Sequence, residues 1–356
     1  MKAVHIDQFS DSFEQVRVIE KDKPTPGPGE ILVRMLYAPI NPSDLNYIHG
    51  TYSSALDGVI WNTGHDTPTF DPERQIACPQ PPYTLGGEGV GIVEATGSGL
   101  MARRLKGKRV AITASPIGTW GEYAVTQARR ALPVPDQADS QQAAMSFVNP
   151  LTAYIMLREV LKVQPGDWVL QSAAASALGK IVIKLSKIYG FKTINVIRSD
   201  SAAEQVRALG GDAVINQSND NIQAEVSRLT KGQGVSHALD CVGGQVGSEL
   251  VQCLGLDGTL LCYGTLSPDP ITLPSRYIMM PVARAQGFFL PNWMAQQNIL
   301  TLLKTIRSVK KLSAQGHFDV PVSDIVTIDD IQAGLQAATT PGRSGKILIK
   351  MSDDLH

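Results

Sequence analysis

Apolar residues follow two rhythms along the chain. Up to about residue 147 they come in short runs bounded by glycine and proline: EILVRMLYA (30–38), GVGIVEA (89–95) and KRVAIT (108–113). Runs of this kind predict strands. KPTPGPGE (23–30) reads as a turn-dense connector between two of them. From residue 148 the texture changes to alternating strands and helices. Five strand candidates follow in order: WVLQS (168–172), TINVI (193–197), AVI (213–215), HALDCV (237–242) and TLLCYG (259–264). Between them lie the helix candidates LGKIVIKLSKIYG, SAAEQVRALGG (with Gly210 as its stop), IQAEVSRLTKG and GSELVQCLG. That alternation implies a parallel sheet with helices on both faces. ARAQGFFL (283–290) predicts a sixth strand, which would complete a doubly wound sheet. NILTLLKTIRSVKKL then reads as a helix, and GKILIKM (345–351) as a last strand that returns to the first domain. The expectation is an α/β protein of two domains: a β-rich domain over 1–147 and 291–356, and a doubly wound one over 148–290. No internal repeat or low-complexity tract is present.

Residues 53–84 stand apart as a long insert punctuated by proline and glycine. Its length makes it either functional or loosely ordered, and Trp61 and Phe70 favour a packed loop. Composition adds little. The chain has 356 residues, enough for two cores, with 43% hydrophobic and 18% charged residues and a formal net charge of -1. No surface for a polyanion is indicated, so no nucleic acid is expected. No run is long enough to span a membrane, and MKAVHIDQF lacks the apolar core of an export signal. The cysteines at 78, 241, 253 and 262 form no C-x-x-C pair. Free thiols in a reducing cytosol fit them, so a cytoplasmic protein is expected.

Candidate chemistry starts at QSAAASALG (171–179), the first strand-to-helix turn of the second half. A dinucleotide pyrophosphate needs such a turn, because helix N-terminal N–H groups there lack partners and the dipole is positive. The usual G-x-G-x-x-G has three glycines, and only Gly179 is kept. Ala and Ser can replace the others provided the turn needs no positive φ where glycine is lost. Read alone, the nine residues fit an alanine-rich helix start equally well. The next strand tips the balance. TINVI ends at Arg198, nineteen residues past Gly179, where an acid would bind a ribose 2′-hydroxyl. Arginine there suits a 2′-phosphate through charge-assisted contacts, roughly 1.5–3 kcal/mol each, so NADPH should be favoured over NADH by about tenfold or more. Ser199 can add a hydroxyl. The plainer reading, a solvated arginine opening a helix, puts a cation at the wrong end of the dipole.

Larger blocks carry a resemblance: NPSDLNYIHGTY (41–52), GGEGVGIVEATGSG (86–99), VNPLTAY (148–154) and LDCVGG (239–244). Together they resemble the medium-chain dehydrogenase/reductase superfamily over essentially the whole chain. VNPLTAY, QPGDWVLQSAAASALG and TINVIRS look most like its NADPH-dependent 2-enoyl thioester (trans-2-enoyl-CoA) reductases. The resemblance implies a GroES-like catalytic domain beside a Rossmann NADPH-binding domain, and a homodimer. The zinc enzymes of the superfamily ligate metal through a Cys and a His at positions that here hold Asn41 and Gly87, neither a strong zinc ligand. His49 and His65 lack partner spacing, and no metal site is expected.

Without a Lewis acid, reduction of an activated C=C bond is the better match. Hydride from NADPH would reach the β-carbon of an α,β-unsaturated thioester, and the developing enolate needs a donor. The resemblance implies Tyr52 for that role, with Tyr47 as rival; packing at a strand end is the alternative reading of Tyr52. It also implies the cofactor contacts. Asn149 and Thr152 would face the nicotinamide. Ala175, Ser176, Ala177 and Leu178, with Gly179, would cradle the pyrophosphate. Arg198, Ser199 and Asp200 would surround the 2′-phosphate. Tyr263, Gly264, Thr265 and Leu266 would line the far side, Phe288, Phe289 and Leu290 would bind the carboxamide, and Lys346 would close the site. Two departures bear on the substrate: the insert directly follows Tyr52, and Phe289 stands where the family often has Trp. Two rival readings remain. One is a zinc-free oxidoreductase of quinones or of small enones and acrylates. The other is a non-catalytic NADPH- or RNA-binding protein on the same fold.

Overall fold

The computed structural model describes residues 1–52, 61–62, 69–70, 80–114, 118–340 and 342–353. The chain forms two compact units. One comprises Met1–Phe147, Val322–Thr340 and Lys346–His356, the other Val148–Pro321 and Pro341–Gly345.

The first unit is β-rich. Its main sheet runs in the order Ala131–Pro133, Arg109–Thr113, Glu88–Thr96, Glu30–Pro39, Lys346–Lys350, Val322–Thr327, and Tyr123–Gln127 also pairs with Glu30–Pro39. The long strand Glu30–Pro39 is its centre. Ile31, Val33 and Met35 alternate inward with no exposed surface, as period-2 patterning requires, and pack with Ile112, Trp120, Ile347 and Ile349. Its neighbours Glu88–Thr96 and Lys346–Lys350 both run antiparallel to it. Two strands therefore begin where the central one ends, and Glu88 and Lys346 arrive beside Asn41. The bond from Ile40 N–H to the Ile347 carbonyl, 3.0 Å, fixes that register.

The second unit carries the six-stranded sheet that the apolar runs predict. All its pairings are parallel. The order is Ala213–Asn216, Lys192–Ile197, Trp168–Gln171, Val235–Asp240, Leu254–Cys262, Arg284–Gly287. Counted along the chain this is 3-2-1-4-5-6, the doubly wound order, with its switch point between Trp168–Gln171 and Val235–Asp240.

The domain limits need one correction. Residues 291–321 belong with the parallel-sheet unit rather than the β-rich one. The helix Ile299–Ala314 buries Thr305, Val309 and Leu312 along one stripe and packs on the helix Val148–Ile155. Only the chain from Val322 onward, less Pro341–Gly345, rejoins the first unit, where Lys346–Lys350 pairs with Glu30–Pro39. Most of the 53–84 insert, including its side chains at Trp61 and Phe70, His65 and Cys78, lies outside the described residues. Within it, the backbone of Trp61–Asn62 pairs antiparallel with Thr69–Phe70.

Candidate nucleotide and acid sites

In the parallel-sheet unit, the turn after Trp168–Gln171 bends through Ala173 at φ 46°, a left-handed conformation that alanine adopts at a cost of about 1–2 kcal/mol. The turn thus uses positive φ where a glycine would be at ease. Ser176 then caps the thirteen-residue helix Ala177–Tyr189, its hydroxyl accepting from the Gly179 N–H at 3.1 Å. The remaining first-turn N–H groups, those of Ala177 and Leu178 among them, have no upstream helical carbonyl. Gly179 is where helix and turn come closest: a Cβ there would lie 2.5 Å from the Ala174 carbonyl oxygen and 2.7 Å from its Cα. Ala175, Ser176 and Ala177 are half-buried, Leu178 and Gly179 buried. An N–H-lined helix start with small side chains at a sheet switch point can take a phosphate pair.

Arg198 follows the next strand. It is exposed, and its guanidinium makes no hydrogen bond or ion pair among the described residues. Ser199 and Asp200 are already engaged. Ser199 caps the helix Asp200–Ala208 by accepting from Ala202 N–H, and Asp200 accepts from Asn216 Nδ2 at 2.9 Å. Tyr263, Gly264, Thr265 and Leu266 follow Leu254–Cys262. Gly264 is tight against Cys241, the Leu266 N–H bonds to the Cys241 carbonyl at 3.0 Å, and burial holds the Tyr263 phenol protonated, well above its ordinary range. Phe288 is tied through its N–H to the Cys262 carbonyl at 2.7 Å, and Phe289 and Leu290 open the helix Leu290–Gln296. Because the strands are parallel, these four segments all follow carboxyl ends and emerge along one edge of the sheet. Asn149 and Thr152 lie on Val148–Ile155, a helix packed against Ala177–Tyr189.

The β-rich unit holds the other two residues, Tyr52 and Lys346. Asn41 starts the helix Pro42–His49 with a capping box: the Asn41 N–H donates to Asp44 Oδ2 at 2.8 Å, and the Asn41 side chain accepts from the Asp44 backbone. Asp44 Oδ1 also accepts from the Gly87 N–H at 3.0 Å. Asn41 Nδ2 donates to Glu88 Oε1 at 2.9 Å, and the Lys346 ammonium donates to Asn41 Oδ1. All four side chains are buried: Asn41 is 4% exposed, Asp44 1%, Glu88 1% and Lys346 5%. Burial, aided by Glu88, pushes the Asp44 carboxyl up to about 7, against the pull of its two backbone bonds and of Lys346. Sequence reasoning missed Asp44 and Glu88. The Asn-x-x-Asp spacing of a capping box was the available signal for the first.

Tyr52 follows the helix and packs on the same core, half-buried. Its ring meets that of Tyr47 edge-on at 5.2 Å. Burial raises its phenol above the ordinary value, the Asp44 charge adds to that, and a hydrogen bond with Asn46 opposes it. Tyr47 is 7% exposed and lies inside the core.

Two family models match the chain: zinc-binding dehydrogenase over residues 177–308, and alcohol dehydrogenase GroES-like domain over residues 27–136. Zinc does not fit the residues present. Both polar atoms of the Asn41 amide are committed, Gly87 offers no side chain, and the Lys346 ammonium would repel a second cation. The chain is 32% identical to the mitochondrial enoyl-[acyl-carrier-protein] reductase of Xenopus tropicalis over 334 residues, 92% of this chain and 88% of that protein. It is 31% identical to the human enzyme of the same name, over 90% and 81% of the two chains. Among solved structures, a candidate NADPH:quinone reductase from Bacillus thuringiensis is 30% identical, with a TM-score of 0.84 over 98% of both chains.

Proposed function

The chain belongs to the medium-chain dehydrogenase/reductase superfamily, and on that premise we propose that it is an NADPH-dependent reductase of activated C=C bonds whose substrate is a 2-enoyl thioester. The observation that carries the reading is a half-buried phenol, Tyr52, set edge-on against Tyr47 in a unit whose zinc-ligand positions hold Asn41 and Gly87. An acid without a Lewis-acid metal suits protonation or hydrogen bonding of an enolate. The names of the relatives support the substrate class: those 31–32% identical are enoyl-[acyl-carrier-protein] reductases.

NADPH, when bound, supplies the hydride that goes to the β-carbon of the thioester. The chain's own residues do the rest. The N–H groups at the start of Ala177–Tyr189 hold the pyrophosphate, with Ala175 and Ser176 small enough to admit it. Arg198 takes the 2′-phosphate, and its lack of any other partner among the described residues supports this. Ser199 reaches the same phosphate while capping its helix, beside Asp200. Asn149 and Thr152 orient the nicotinamide, Phe288, Phe289 and Leu290 bind its carboxamide, and Tyr263, Gly264, Thr265 and Leu266 line the remaining wall. Tyr52 donates to the thioester oxygen as negative charge develops there. Its half-buried place favours it over Tyr47, which the core encloses.

A homodimer through the edge strand Arg284–Gly287 belongs to the same proposal, supported by that strand's exposure along its whole length and by exposed Met279, Met280 and Val282 beside it. A reducing compartment, the cytosol first, suits the thiols of Cys241, Cys253 and Cys262. The test is NADPH oxidation with crotonyl-CoA, longer 2-enoyl-CoAs, 1,4-naphthoquinone and acrylate as acceptors. Turnover confined to the quinone would replace the enoyl thioester reading with the quinone one.

A further inference from the structure

Lys180 stands one residue past Gly179, and its N–H makes the first bond of the helix Ala177–Tyr189, to the Ser176 carbonyl at 2.9 Å. It is only 6% exposed. Its ammonium donates to Gln205 Oε1, on the helix Asp200–Ala208, at 2.9 Å, and to the Ser344 carbonyl at 2.8 Å. Ser344 lies in Pro341–Gly345, the short late stretch of chain that is grouped with the parallel-sheet unit. Three segments of that unit thus meet on one nitrogen. Both acceptors are neutral, and Lys180 forms no ion pair with a carboxylate among the described residues. The charge that acts on it is Lys184, one helical turn on and of the same sign; burial and Lys184 together lower the Lys180 pKa. The positive end of its own helix disfavours a cation further. A buried ammonium without a counter-anion is costly, and an apolar side chain would fill the same place without that cost.

We infer that Lys180 is a positioning residue for the dinucleotide: its ammonium clasps the chain at Ser344 and the helix Asp200–Ala208 onto the helix Ala177–Tyr189, and the cofactor's phosphates supply the negative charge that it lacks. This rests on the proposed pyrophosphate site at 175–179 and not on the substrate. The clasp fixes where the first turn of Ala177–Tyr189 stands, and with it the N–H groups of Ala177 and Leu178. Pyrophosphate is common to NADPH and NADH, so Lys180 acts on both alike. Arg198 differs, because its proposed partner is the 2′-phosphate, which NADPH alone carries. Lysine suits the place because its three N–H bonds radiate from one atom and can join segments that come from different directions.

The test compares wild type, Lys180→Met and Lys180→Arg by two readouts that need no substrate. Calorimetry gives the Kd for NADPH and for NADH. Limited trypsin digestion of the ligand-free protein gives the rate of cleavage after Arg343, read from the mass of the 344–356 fragment. Lys180→Met is expected to weaken NADPH and NADH by the same factor, about tenfold, and to speed cleavage after Arg343 by about threefold or more. Lys180→Arg keeps the charge and the donors and is expected to restore both affinities to within about threefold of wild type. If Lys180→Met does not fold, Lys180→Gln decides, since it loses the charge while keeping a donor for the Ser344 carbonyl; both affinities must fall together in it. Affinities for both nucleotides within about twofold of wild type would overturn the inference, as would a loss confined to NADPH. Cleavage after Arg343 at the wild-type rate in Lys180→Met would remove the clasp. Gly179→Ala separates the two failures: if it leaves NADPH affinity intact, the pyrophosphate site itself falls, whereas a failure at Lys180 alone leaves that site standing.

Discussion

Replacing Asp44 by Asn should change how the stability of the protein depends on pH. The unfolded carboxyl titrates near 3.8, and the buried one is pushed up to about 7. Between those values the unfolded chain releases a proton that the folded chain keeps. A group whose folded pKa is raised stabilises most at low pH, and that contribution is lost as pH rises to the folded value. About three pH units at about 1.4 kcal/mol each give a fall of about 4 kcal/mol from pH 4 to pH 7. Asparagine cannot titrate. It also cannot accept from both the Asn41 and Gly87 N–H groups, because one of its two arms is a donor, and a lost acceptor costs about 1–3 kcal/mol. Urea unfolding of both proteins at intervals from pH 4 to pH 8 measures the difference directly. The variant should be the less stable protein at pH 4, and the gap should close and reverse by pH 8. A gap that stays constant, or one that widens as pH rises, would refute the account of a proton held by Asp44.

Three further outcomes are expected. Arg198→Ala should weaken NADPH by about tenfold or more and leave NADH within about twofold, as measured by calorimetry; equal loss for both would remove the 2′-phosphate role. Gly179→Ala would put a Cβ 2.5 Å from the Ala174 carbonyl oxygen, so it should cost about 1–3 kcal/mol in urea unfolding and weaken NADPH through the displaced helix start. Ala173→Gly relieves a residue at φ 46°, and with the greater freedom of glycine in the unfolded chain opposing the gain, the thermal midpoint should hold or rise by a few degrees.

What the sequence made legible was the periodic and the local. Five apolar runs, spaced by helices, made the doubly wound sheet readable, because parallel strands covered on both faces read as continuous hydrophobic stretches, whereas the sixth strand, Arg284–Gly287, is an exposed edge. The helix Ile299–Ala314 was legible as a helix but not in its allegiance. Its Thr305, Val309, Leu312 stripe says that one face is buried, and nothing in the stripe says against what. The left-handed turn at Ala173 gave no signal, since alanine is not the residue that such a conformation selects. The bond between Lys346 and Asn41 was illegible for a topological reason. Asn41 and Lys346 are 305 positions apart, and only antiparallel pairing at the centre of the sheet brings them together. Lys346 was legible as a residue of interest through family resemblance alone, which carries no signal of its bond to Asn41.

The central claim is a protonated Tyr52 acting on an enoyl thioester. Its most direct test is NADPH oxidation with crotonyl-CoA by wild type and Tyr52→Phe. Turnover by wild type, with kcat in the variant reduced about 10²-fold or more and NADPH affinity unchanged, is the predicted result. Equal kcat in the two proteins, or no turnover of any enoyl thioester by wild type, would contradict it.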